Sequence, residues 1–443
     1  MLKKFSFKNS YCFQEEVTFD MSTELSPDKT FMDGYPLTVL DSDMSEIVLN
    51  CKQGHKYGIL PVAAIYGKNA SGKTKLLHTL RDIAEDAIGD GFTKAVKLSP
   101  DTPFKEMVSN RRFIFTISKS HVLHYSICVV ADNYEYTLEY TLSDEGVINE
   151  KLTSMPLQYN ASPEVLYKRY GIIKSDQTLL SEEIKEHVNL MVQSEEKRLW
   201  FSLIAPAYPS LKKVYNWFSF VLKGMTFNDL DINSQKNKFA EIAKIISDEN
   251  DDKNRGFKKR LIKFLKCLDS SIDDIESRRI LEGEYILLVF HNTDSDITIA
   301  HLIENESAGT RKLIELFPQI DDALQNGRLF ICDELDRMLH PIAFKQLVRM
   351  FNSPKYNRKN AQLIFTAHDT IALNSDMLRR DEVHIVDKNE FSVSVVNRLS
   401  DFTYVEPHPH MEFDFRTGYY YSFPENFYNS YSVEGDEVEL ESE

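Results

Sequence analysis

Residues 67–74, which read GKNASGKT, constrain the fold of this chain more than any other segment. They match the pattern G-x-x-x-x-G-K-[ST], whose glycines let successive backbone N–H groups approach the phosphates of a nucleotide. The apolar residues 61–66 predict a buried strand before this loop, and residues 75–87 predict a helix after it. Because a helix N-terminus favours anions, this order indicates a phosphate-binding loop in an α/β fold rather than a chance glycine-rich turn.

The loop pattern assigns separate tasks to its last two positions. We expect Lys73 to reach the β- and γ-phosphates and Thr74 to offer its hydroxyl to Mg²⁺. The predicted nucleotide-binding residues are Gly67, Lys68, Asn69, Ala70, Ser71, Gly72, Lys73 and Thr74.

A second group of candidate residues lies far along the chain. Residues 328–334 read RLFICDE, an apolar run followed by two carboxylates. In a buried parallel sheet such acids emerge at the carboxyl end of the strand, where α/β folds bind ligands. We expect Asp333 to hold Mg²⁺, and Glu334 to act as the general base or to orient the attacking water. A strand that ends in a solvated acidic turn is the alternative, which the phosphate-binding loop disfavours.

Two further features flank this strand. Residues 306–310 (ESAGT) form a small-residue turn before a predicted helix at 311–324, and such a turn presents N–H groups to an anion. Residues 361–366 predict another buried strand, with His368 just after its end. A lone histidine there is more often structural, but the order of elements favours contact with a γ-phosphate or the attacking water.

These motifs together resemble the ABC-type ATPases of the SMC/RecF-like branch. The likeness is closer to the AAA-type ATPases of bacterial abortive-infection and restriction-linked loci, the RloA-like group, which carry runs similar to ESAGTRKL at 306–313, DELDRMLHP at 333–341 and NAQLIFTAHDT at 360–370. The resemblance covers most of residues 1–405. It implies slow ATP hydrolysis with ATP and Mg²⁺ as cofactors. The implied fold class is α/β: an ABC-type P-loop head with a flanking antiparallel β-subdomain and an inserted compact helical lobe.

The resemblance also implies roles for single residues. Ser307, Ala308 and Gly309 would contact the γ-phosphate of a nucleotide bound to a second subunit. Asp336 would lie in a loop that couples the two sites, and His368 would be the switch histidine. Because ATP in this family is sandwiched between two heads, the resemblance implies a homodimer or higher homo-oligomer.

The chain departs from the family in two places. No glutamine occurs at residues 75–157, although these ATPases often use one as a Mg²⁺ ligand. The corresponding loop is expected near residues 103–105, without an assigned metal contact. The ESAGT turn is also shorter than the Leu-Ser-Gly-Gly-Gln signature of transporters.

Periodicity divides the chain into four predicted parts. They are residues 1–163 (first part of the head, with the phosphate-binding loop and β-subdomain), 164–277 (helical lobe), 278–405 (second part of the head) and 406–443 (a tail, first aromatic and then acidic). Alternating segments at 112–118, 122–131 and 134–142 predict antiparallel strands with a turn at Asp132-Asn133, and strands are also expected at 285–291 and 297–302. Within the lobe, helices are expected at 179–203 and 237–268, without the sustained heptads of a long coiled coil.

Composition limits the partners and the compartment. The net charge of −16 argues against broad nucleic-acid binding by a monomer and leaves a local contact open. The five scattered cysteines, with no signal peptide or membrane-spanning run, predict a cytoplasmic protein with no membrane contact. The basic stretch 253–266 is interpreted as a solvated helix face, with Phe257, Leu261, Phe264 and Leu265 packed inward, rather than as a nucleic-acid or partner contact.

Three functions fit these observations. The first is the ATPase subunit of an anti-phage system that senses infection, through a phage-derived trigger, and holds or licenses a separate toxic effector such as a nuclease. The residues after His368 contain no clustered carboxylates of metal-nuclease form, so the effector is expected on another chain. The second is a RecF-like DNA-repair clamp, which would need a basic groove. The third and least favoured is the nucleotide-binding subunit of a transporter.

Overall fold

The computed structural model describes most of the chain. The described residues are 1–25, 31–32, 35–36, 47–48, 56–113, 122–157, 162–170, 174–176, 182–194, 196–227, 232–248, 250–280, 283–292, 298–373, 377–389, 391–402 and 411–416.

The strands of the described part, in chain order, are β1 (Leu2–Lys8), β2 (Val17–Asp20), β3 (Ser22–Leu25), β4 (Phe31–Met32), β5 (Tyr35–Pro36), β6 (Ile47–Val48), β7 (Lys56–Ile59), β8 (Val62–Tyr66), β9 (Val122–Ala131), β10 (Tyr134–Ser143), β11 (Gly146–Pro156), β12 (Glu164–Tyr170), β13 (Lys174–Asp176), β14 (Met225–Thr226), β15 (Ile272–Arg279), β16 (Tyr285–Asn292), β17 (Thr298–Leu302), β18 (Leu329–Cys332), β19 (Gln362–Thr366), β20 (Val383–Lys388) and β21 (Ser394–Arg398).

The helices are α1 (Lys73–Ile88), α2 (Asp90–Leu98), α3 (Pro103–Arg111), α4 (Glu182–Gln193), α5 (Trp200–Ile204), α6 (Pro209–Lys223), α7 (Ile232–Ser247), α8 (Asp252–Leu268), α9 (Ala308–Asn326), α10 (Pro341–Asn352) and α11 (Met411–Arg416). None of these helices combines the length and the apolar character needed to cross a membrane.

A six-stranded sheet with the order β14-β18-β19-β8-β20-β21 forms the centre of the fold. Its strands pair in parallel except at β20–β21. β19 lies between β8 and β18. Because these three strands run in the same direction, the loop after β8 and the acids after β18 emerge at the same carboxyl edge of the sheet. This edge is where parallel α/β sheets bind ligands.

The seven-stranded sheet is antiparallel and has the order β13-β12-β11-β10-β9-β1-β2. Its β9–β10 hairpin turns at Asp132 and Asn133, which have φ angles of 51° and 64°. Two consecutive positive φ angles are typical of a tight type I′ turn, which favours Asn and Asp at these positions. The predicted hairpin and its turn are therefore confirmed, as is an α/β fold with a flanking antiparallel sheet.

Two hydrophobic cores cover opposite faces of the central sheet. Along β8, Ala63 and Ile65 point to the first core, while Val62, Ala64 and Tyr66 point to the second. This follows from the period of two in a strand. The first core contains residues of the seven-stranded sheet, α1 and α4 to α6, and the second contains residues of α7 to α10 and the sheet β15-β16-β17.

The predicted single helical lobe at 164–277 is wrong in two respects. Its first residues form β12 and β13, which extend the seven-stranded sheet, and its last residues belong to β15. The boundary expected at residue 278 therefore falls within a strand. Its helices also belong to two different cores, because the apolar face of each helix packs against the nearest sheet rather than against the other helices.

Both long helices expected in this region are interrupted. The segment 179–203 contains α4 and the separate helix α5, and 237–268 is divided between α7 and α8. A contact from outside the region explains the start of α5. The buried carboxylate of Glu150 on β11 accepts hydrogen bonds from the backbone N–H of Trp200 at 2.7 Å and of Phe201 at 2.8 Å. It satisfies donors that a helix start would otherwise leave unpaired.

Other expectations have mixed outcomes. Residues 103–105 form the first turn of α3, a helix rather than the expected loop. Of the strand expected at 112–118, Arg112 makes an isolated bridge to Ser10, and residues 114–118 lie outside the described residues. In the tail, 406–410 and 417–443 are also outside them, whereas α11 contributes Met411 to the second core.

A buried ion pair ties α1 to the seven-stranded sheet. Asp86 on α1 accepts hydrogen bonds from Arg111 Nη1 on α3 at 2.7 Å and from the Tyr140 hydroxyl on β10 at 2.9 Å. Burial raises the pKa of Asp86, and the Arg111 guanidinium opposes this shift. Removing one partner of a buried pair leaves an uncompensated charge. We therefore expect Asp86→Ala to lower the free energy of unfolding by about 3 kcal/mol in urea denaturation.

The neighbouring Glu85 provides the control. It pairs with Lys94 on α2, whose side chain is largely exposed. Glu85→Ala should cost less than about 1 kcal/mol, because solvent around the largely exposed Lys94 screens the pair. Equal losses for the two variants would show that the pair at Asp86 has no special part in stability.

Candidate functional site

The phosphate-binding loop joins β8 to α1 and requires glycine at two positions. Gly72, the N-cap of α1, has a φ of 117°, and a Cβ atom there would lie 2.7 Å from Cys12 Sγ. At Gly67, a Cβ atom would lie 2.2 Å from the carbonyl oxygen of Val386. Between the two glycines, Lys68 is half-buried, whereas Asn69 and Ala70 are exposed. Close packing against β20 and the first loop of the chain therefore holds this loop in shape.

Lys73 crosses the inside of the loop. Its ammonium group donates hydrogen bonds to the carbonyl oxygens of Gly67 at 2.8 Å and Lys68 at 3.1 Å. The residue is only 7% exposed, and burial lowers its pKa, which nearby carboxylates such as Asp333 oppose. The hydroxyl of Ser71 is buried and lacks a hydrogen-bond partner in the described part of the chain. The loop thus offers a cation, an unused hydroxyl and a helix N-terminus, which suit the phosphates of a nucleotide.

The oxygen ligands expected for Mg²⁺ lie side by side. The Thr74 hydroxyl donates to Asp333 Oδ2 at 2.9 Å, although the two residues are 259 positions apart. Adjacent ligands of an octahedral Mg²⁺ ion with 2.0–2.1 Å bonds are also about 2.9 Å apart. The Thr366 hydroxyl donates to Asp333 Oδ1 at 2.6 Å and orients this carboxylate. Thr74 and Asp333 therefore fit a Mg²⁺ ion that accompanies ATP.

Glu334 follows directly and has an unusual backbone. Its φ is 50°, a strained value for a residue other than glycine, and its N–H donates to Thr366 Oγ1 at 2.7 Å. Its carboxylate pairs with Arg337 Nη1 at 3.0 Å and lies 3.8 Å from His368 Nε2. Such strain persists where the surroundings hold it, and it is common at functional sites. The arrangement places a partly exposed carboxylate beside Thr74 and Asp333, where it can accept a proton from water.

Asp336 connects this base to the end of β19. Its Oδ2 accepts hydrogen bonds from the backbone N–H of His368 at 2.8 Å and of Asp369 at 2.6 Å. The N–H of Leu335 also donates to the carbonyl oxygen of Thr366 at 3.0 Å. The loop that follows Glu334 and the turn that carries His368 are therefore one hydrogen-bonded unit, so a displacement of either one moves the other.

The ESAGT turn opens the long helix α9. Ser307 is its N-cap, and its hydroxyl accepts a hydrogen bond from the N–H of Thr310 at 3.0 Å. Ser307 and Ala308 are exposed. A Cβ atom at Gly309 would lie 3.0 Å from the carbonyl oxygen of Met338, so the turn packs against the loop that contains Asp336. An exposed helix N-terminus attracts anions, so this turn is open to a phosphate carried by another molecule.

Three contacts of the site involve residues that the sequence analysis did not single out. Thr366 orients Asp333, Arg337 pairs with Glu334, and the Ser394 hydroxyl on β21 donates to the carbonyl oxygen of Ser71 at 2.6 Å. The contact of Thr366 could have been predicted from the sequence, because this threonine ends the strand that lies beside the acidic strand. The contact of Ser394 depends on the packing of β21, for which the sequence holds no local signal.

Comparison with known proteins finds similar solved structures. No curated protein matches the chain. One similar solved structure is an Smc head bound to the C-winged helix domain of ScpA, with 14% identity, a TM-score of 0.43, and coverage of 89% of this chain and 96% of that chain. Another is an Smc head domain with an extended coiled coil, bound to the C-terminal domain of ScpA derived from Pyrococcus furiosus, with 14% identity, a TM-score of 0.40, and coverage of 89% and 95%.

A family comparison gives a second kind of match. The family described as "AAA domain, putative AbiEii toxin, Type IV TA system" matches residues 62–374, which is more than half of the 443 residues. The matched segment begins with β8 and includes the phosphate-binding loop, the ESAGT turn, the Asp333-Glu334 pair and His368. The chain therefore belongs to this family of AAA-domain proteins.

Proposed function

We propose that this protein is the ATP-binding and ATP-hydrolysing subunit of a bacterial anti-phage defence system. The observation that carries the proposal is the meeting of Thr74, Asp333, Glu334 and His368 at one edge of the central sheet. These residues would supply a Mg²⁺ site, a base and a histidine next to the phosphate-binding loop, which are the parts that ATP hydrolysis requires. The family description, which mentions a putative AbiEii toxin and a toxin–antitoxin system, supports the defence role.

We further propose that the complete site forms between two copies of the chain. Ser307, Ala308 and Gly309 would bind the γ-phosphate of ATP held by the partner subunit. The exposure of Ser307 and Ala308 and the helix N-terminus behind them support this role. Because Gly309 packs on the loop that contains Asp336, closure of the two subunits would reach His368 through the Asp336 hydrogen bonds. ATP binding would close the assembly, and slow hydrolysis would reopen it.

Two substitutions at Ser307 test this composite site. Asp and Asn have the same size, and both cap helices well, so each keeps the start of α9 intact. Only Asp adds a negative charge next to the partner's γ-phosphate. In a Glu334→Gln background with ATP and Mg²⁺, we expect Ser307→Asp to weaken dimerisation at least about tenfold more than Ser307→Asn, a difference of ~1.4 kcal/mol. Light scattering across a concentration series measures the dimerisation constant of each variant. Equal constants would contradict a contact of Ser307 with the nucleotide of the partner subunit.

The effector is proposed to bind next to α8. As expected, Phe257, Leu261, Phe264 and Leu265 of the basic stretch 253–266 are buried. The second half of the same helix lines a cavity of about 610 Å³, in which Asp321 pairs with Arg260 and the cations outnumber this one acid. The cationic lining residues are Arg260, Lys263, Arg349, Lys355, Arg358 and Lys359. On a chain with a net charge of −16, this local basic lining suits an acidic partner.

The same basic lining favours one alternative, a RecF-like DNA-repair clamp. A pull-down of Glu334→Gln from its native host with ATP and Mg²⁺, followed by mass spectrometry and a nucleic-acid stain, separates the two functions. We expect a stoichiometric second protein, whose identity would supply the toxic chemistry and lead to its trigger. Recovery of DNA without a partner protein would replace the defence proposal with the repair clamp.

A further inference from the structure

Two histidines and a glutamate meet beside the ESAGT turn. His291 lies on β16, His301 lies on β17, and Glu306 directly precedes the turn. Glu306 Oε1 is 2.9 Å from His291 Nε2 and 3.1 Å from His301 Nδ1, and the three ligand atoms lie within 4.8 Å of one another. The Glu306 side chain is only 5% exposed, whereas that of His301 is 46% exposed. Glu306 therefore forms the buried side of the cluster, and His301 forms the side that faces solvent.

The hydrogen bonds around His291 determine which ring nitrogen carries a proton. The Ser271 hydroxyl donates its single proton to Asp269 Oδ1 at 2.7 Å. The same hydroxyl oxygen lies 3.0 Å from His291 Nδ1 and must accept a proton from that nitrogen. In the neutral ring, Nε2 therefore carries a lone pair that points at the Glu306 carboxylate. Two acceptors at 2.9 Å repel each other unless a cation lies between them, so this geometry calls for a metal ion or an additional proton.

The donor set distinguishes among metals. Imidazole nitrogens suit Zn²⁺ and other first-row transition metals, whereas Mg²⁺ prefers oxygen ligands. At bond lengths of 2.0–2.1 Å, neighbouring tetrahedral ligands of Zn²⁺ are about 3.4 Å apart. The two contacts of Glu306 Oε1, at 2.9 and 3.1 Å, are close to this spacing, and the exposed His301 ring would rotate to bring its nitrogen to a tetrahedral distance from His291. The chain Asp269–Ser271–His291 supplies the outer hydrogen bonds that typically orient a metal-binding histidine.

We propose that His291, His301 and Glu306 bind a first-row divalent transition metal, with Zn²⁺ as the best match. Three protein ligands leave a fourth position open on the exposed side of His301. The site is separate from the Mg²⁺ that accompanies ATP, and its binding chemistry does not depend on the proposed function.

The location of the site suggests what the metal does. Glu306 N–H donates to the carbonyl oxygen of Ile303 at 3.2 Å, and the next residue, Ser307, caps α9. A metal bound to Glu306 and to both histidines joins the sheet β15-β16-β17 to this turn. Metal binding therefore holds the ESAGT turn in one position, which is the turn proposed to meet the partner's nucleotide.

Zn²⁺ titration of the chelator-treated full-length protein, without nucleotide, tests the site. We expect one equivalent of Zn²⁺ to bind, and bound Co²⁺ to show the strong visible absorption of a tetrahedral site. His301→Gln should weaken Zn²⁺ binding at least about tenfold, because even the loss of a residue that only hydrogen-bonds to a metal ligand can lower metal affinity by this factor. His301 is the variant of choice because its side chain is 46% exposed and contributes little to the core, and Glu306→Gln gives a second test. His124→Gln, which alters an exposed histidine on β9, is the matched control and should bind Zn²⁺ as the wild type does.

Thermal unfolding provides a readout that is independent of ATPase activity. We expect Zn²⁺ to raise the melting temperature of the wild type and of Lys73→Ala, but not of His301→Gln. Loss of the Zn²⁺ effect only in His301→Gln and Glu306→Gln would support the site even if the protein failed to hydrolyse ATP. Equal Zn²⁺ affinity in the wild type and His301→Gln, or no stoichiometric binding to the wild type, would overturn the proposal and leave a proton as the cation.

Discussion

Glu334→Gln should lower ATP turnover by about 10²–10⁴-fold and leave ATP bound, because general-base catalysis typically contributes a factor of that size. The amide has nearly the same shape as the carboxylate but cannot accept a proton from water. The Mg²⁺ ligands Thr74 and Asp333 and the loop lysine Lys73 remain in place. Phosphate release at saturating ATP and Mg²⁺ measures turnover, and binding of a fluorescent ATP analogue measures affinity. We also expect the closed dimer of this variant to accumulate in the presence of ATP.

Glu145→Gln is the control for this substitution. Glu145 is exposed in the turn between β10 and β11, so the same chemical change there should leave turnover unaltered. A wild-type rate for Glu334→Gln would exclude Glu334 as the base. The neighbouring His368, whose Nε2 lies 3.8 Å from Glu334 Oε1, would then be the next residue to test.

Lys73→Ala should weaken ATP binding by about 10- to 150-fold, the equivalent of one hydrogen bond to a charged group at ~1.5–3 kcal/mol. The ammonium of Lys73 is the one cation that this loop directs inward among its described contacts, where it bonds the carbonyl oxygens of Gly67 and Lys68. Burial lowers the pKa of this lysine, so its charged form has an electrostatic cost that phosphate oxygens would offset. Isothermal titration with ATP and Mg²⁺ measures the loss.

Lys75→Ala is matched to this variant in charge and in helix position. Lys75 is exposed, and its ammonium lies 4.8 Å from the centre of the Tyr11 ring rather than inside the loop. We expect its ATP affinity to stay within about twofold of the wild type, well under the cost of a charged hydrogen bond. If both variants bound ATP equally well, the inward position of Lys73 would have no part in nucleotide binding.

The sequence predicts best where a feature depends on neighbouring residues. The glycines and the lysine of the loop, the apolar run before Asp333, and the Asp132-Asn133 turn all work through spacing over a few positions. Their local structure follows from backbone conformation and strand alternation, which a short segment already determines. The inward face of α8 was predictable for the same reason, because helical spacing places its four buried apolar residues on one side.

The bounds predicted within the region 164–277 were partly wrong because they depend on distant partners. The segment that forms β12 is a strand because it pairs with β11, and α5 begins where the carboxylate of Glu150 reaches Trp200 and Phe201. Helical periodicity alone cannot reveal such contacts, since tertiary packing overrides weak local preferences.

By itself, the sequence determined that this chain contains a phosphate-binding loop, an acidic strand and a small-residue turn before a helix. Only the tertiary structure decided how they meet. The order of β18, β19 and β8 brings Thr74 to Asp333 across 259 positions and places the Thr366 hydroxyl in contact with both Asp333 and Glu334. The hairpin β16–β17 likewise brings two histidines to Glu306. The physical reason is that strand order and register are set by the packing of the whole sheet, whereas spacing along the chain determines only what each strand carries.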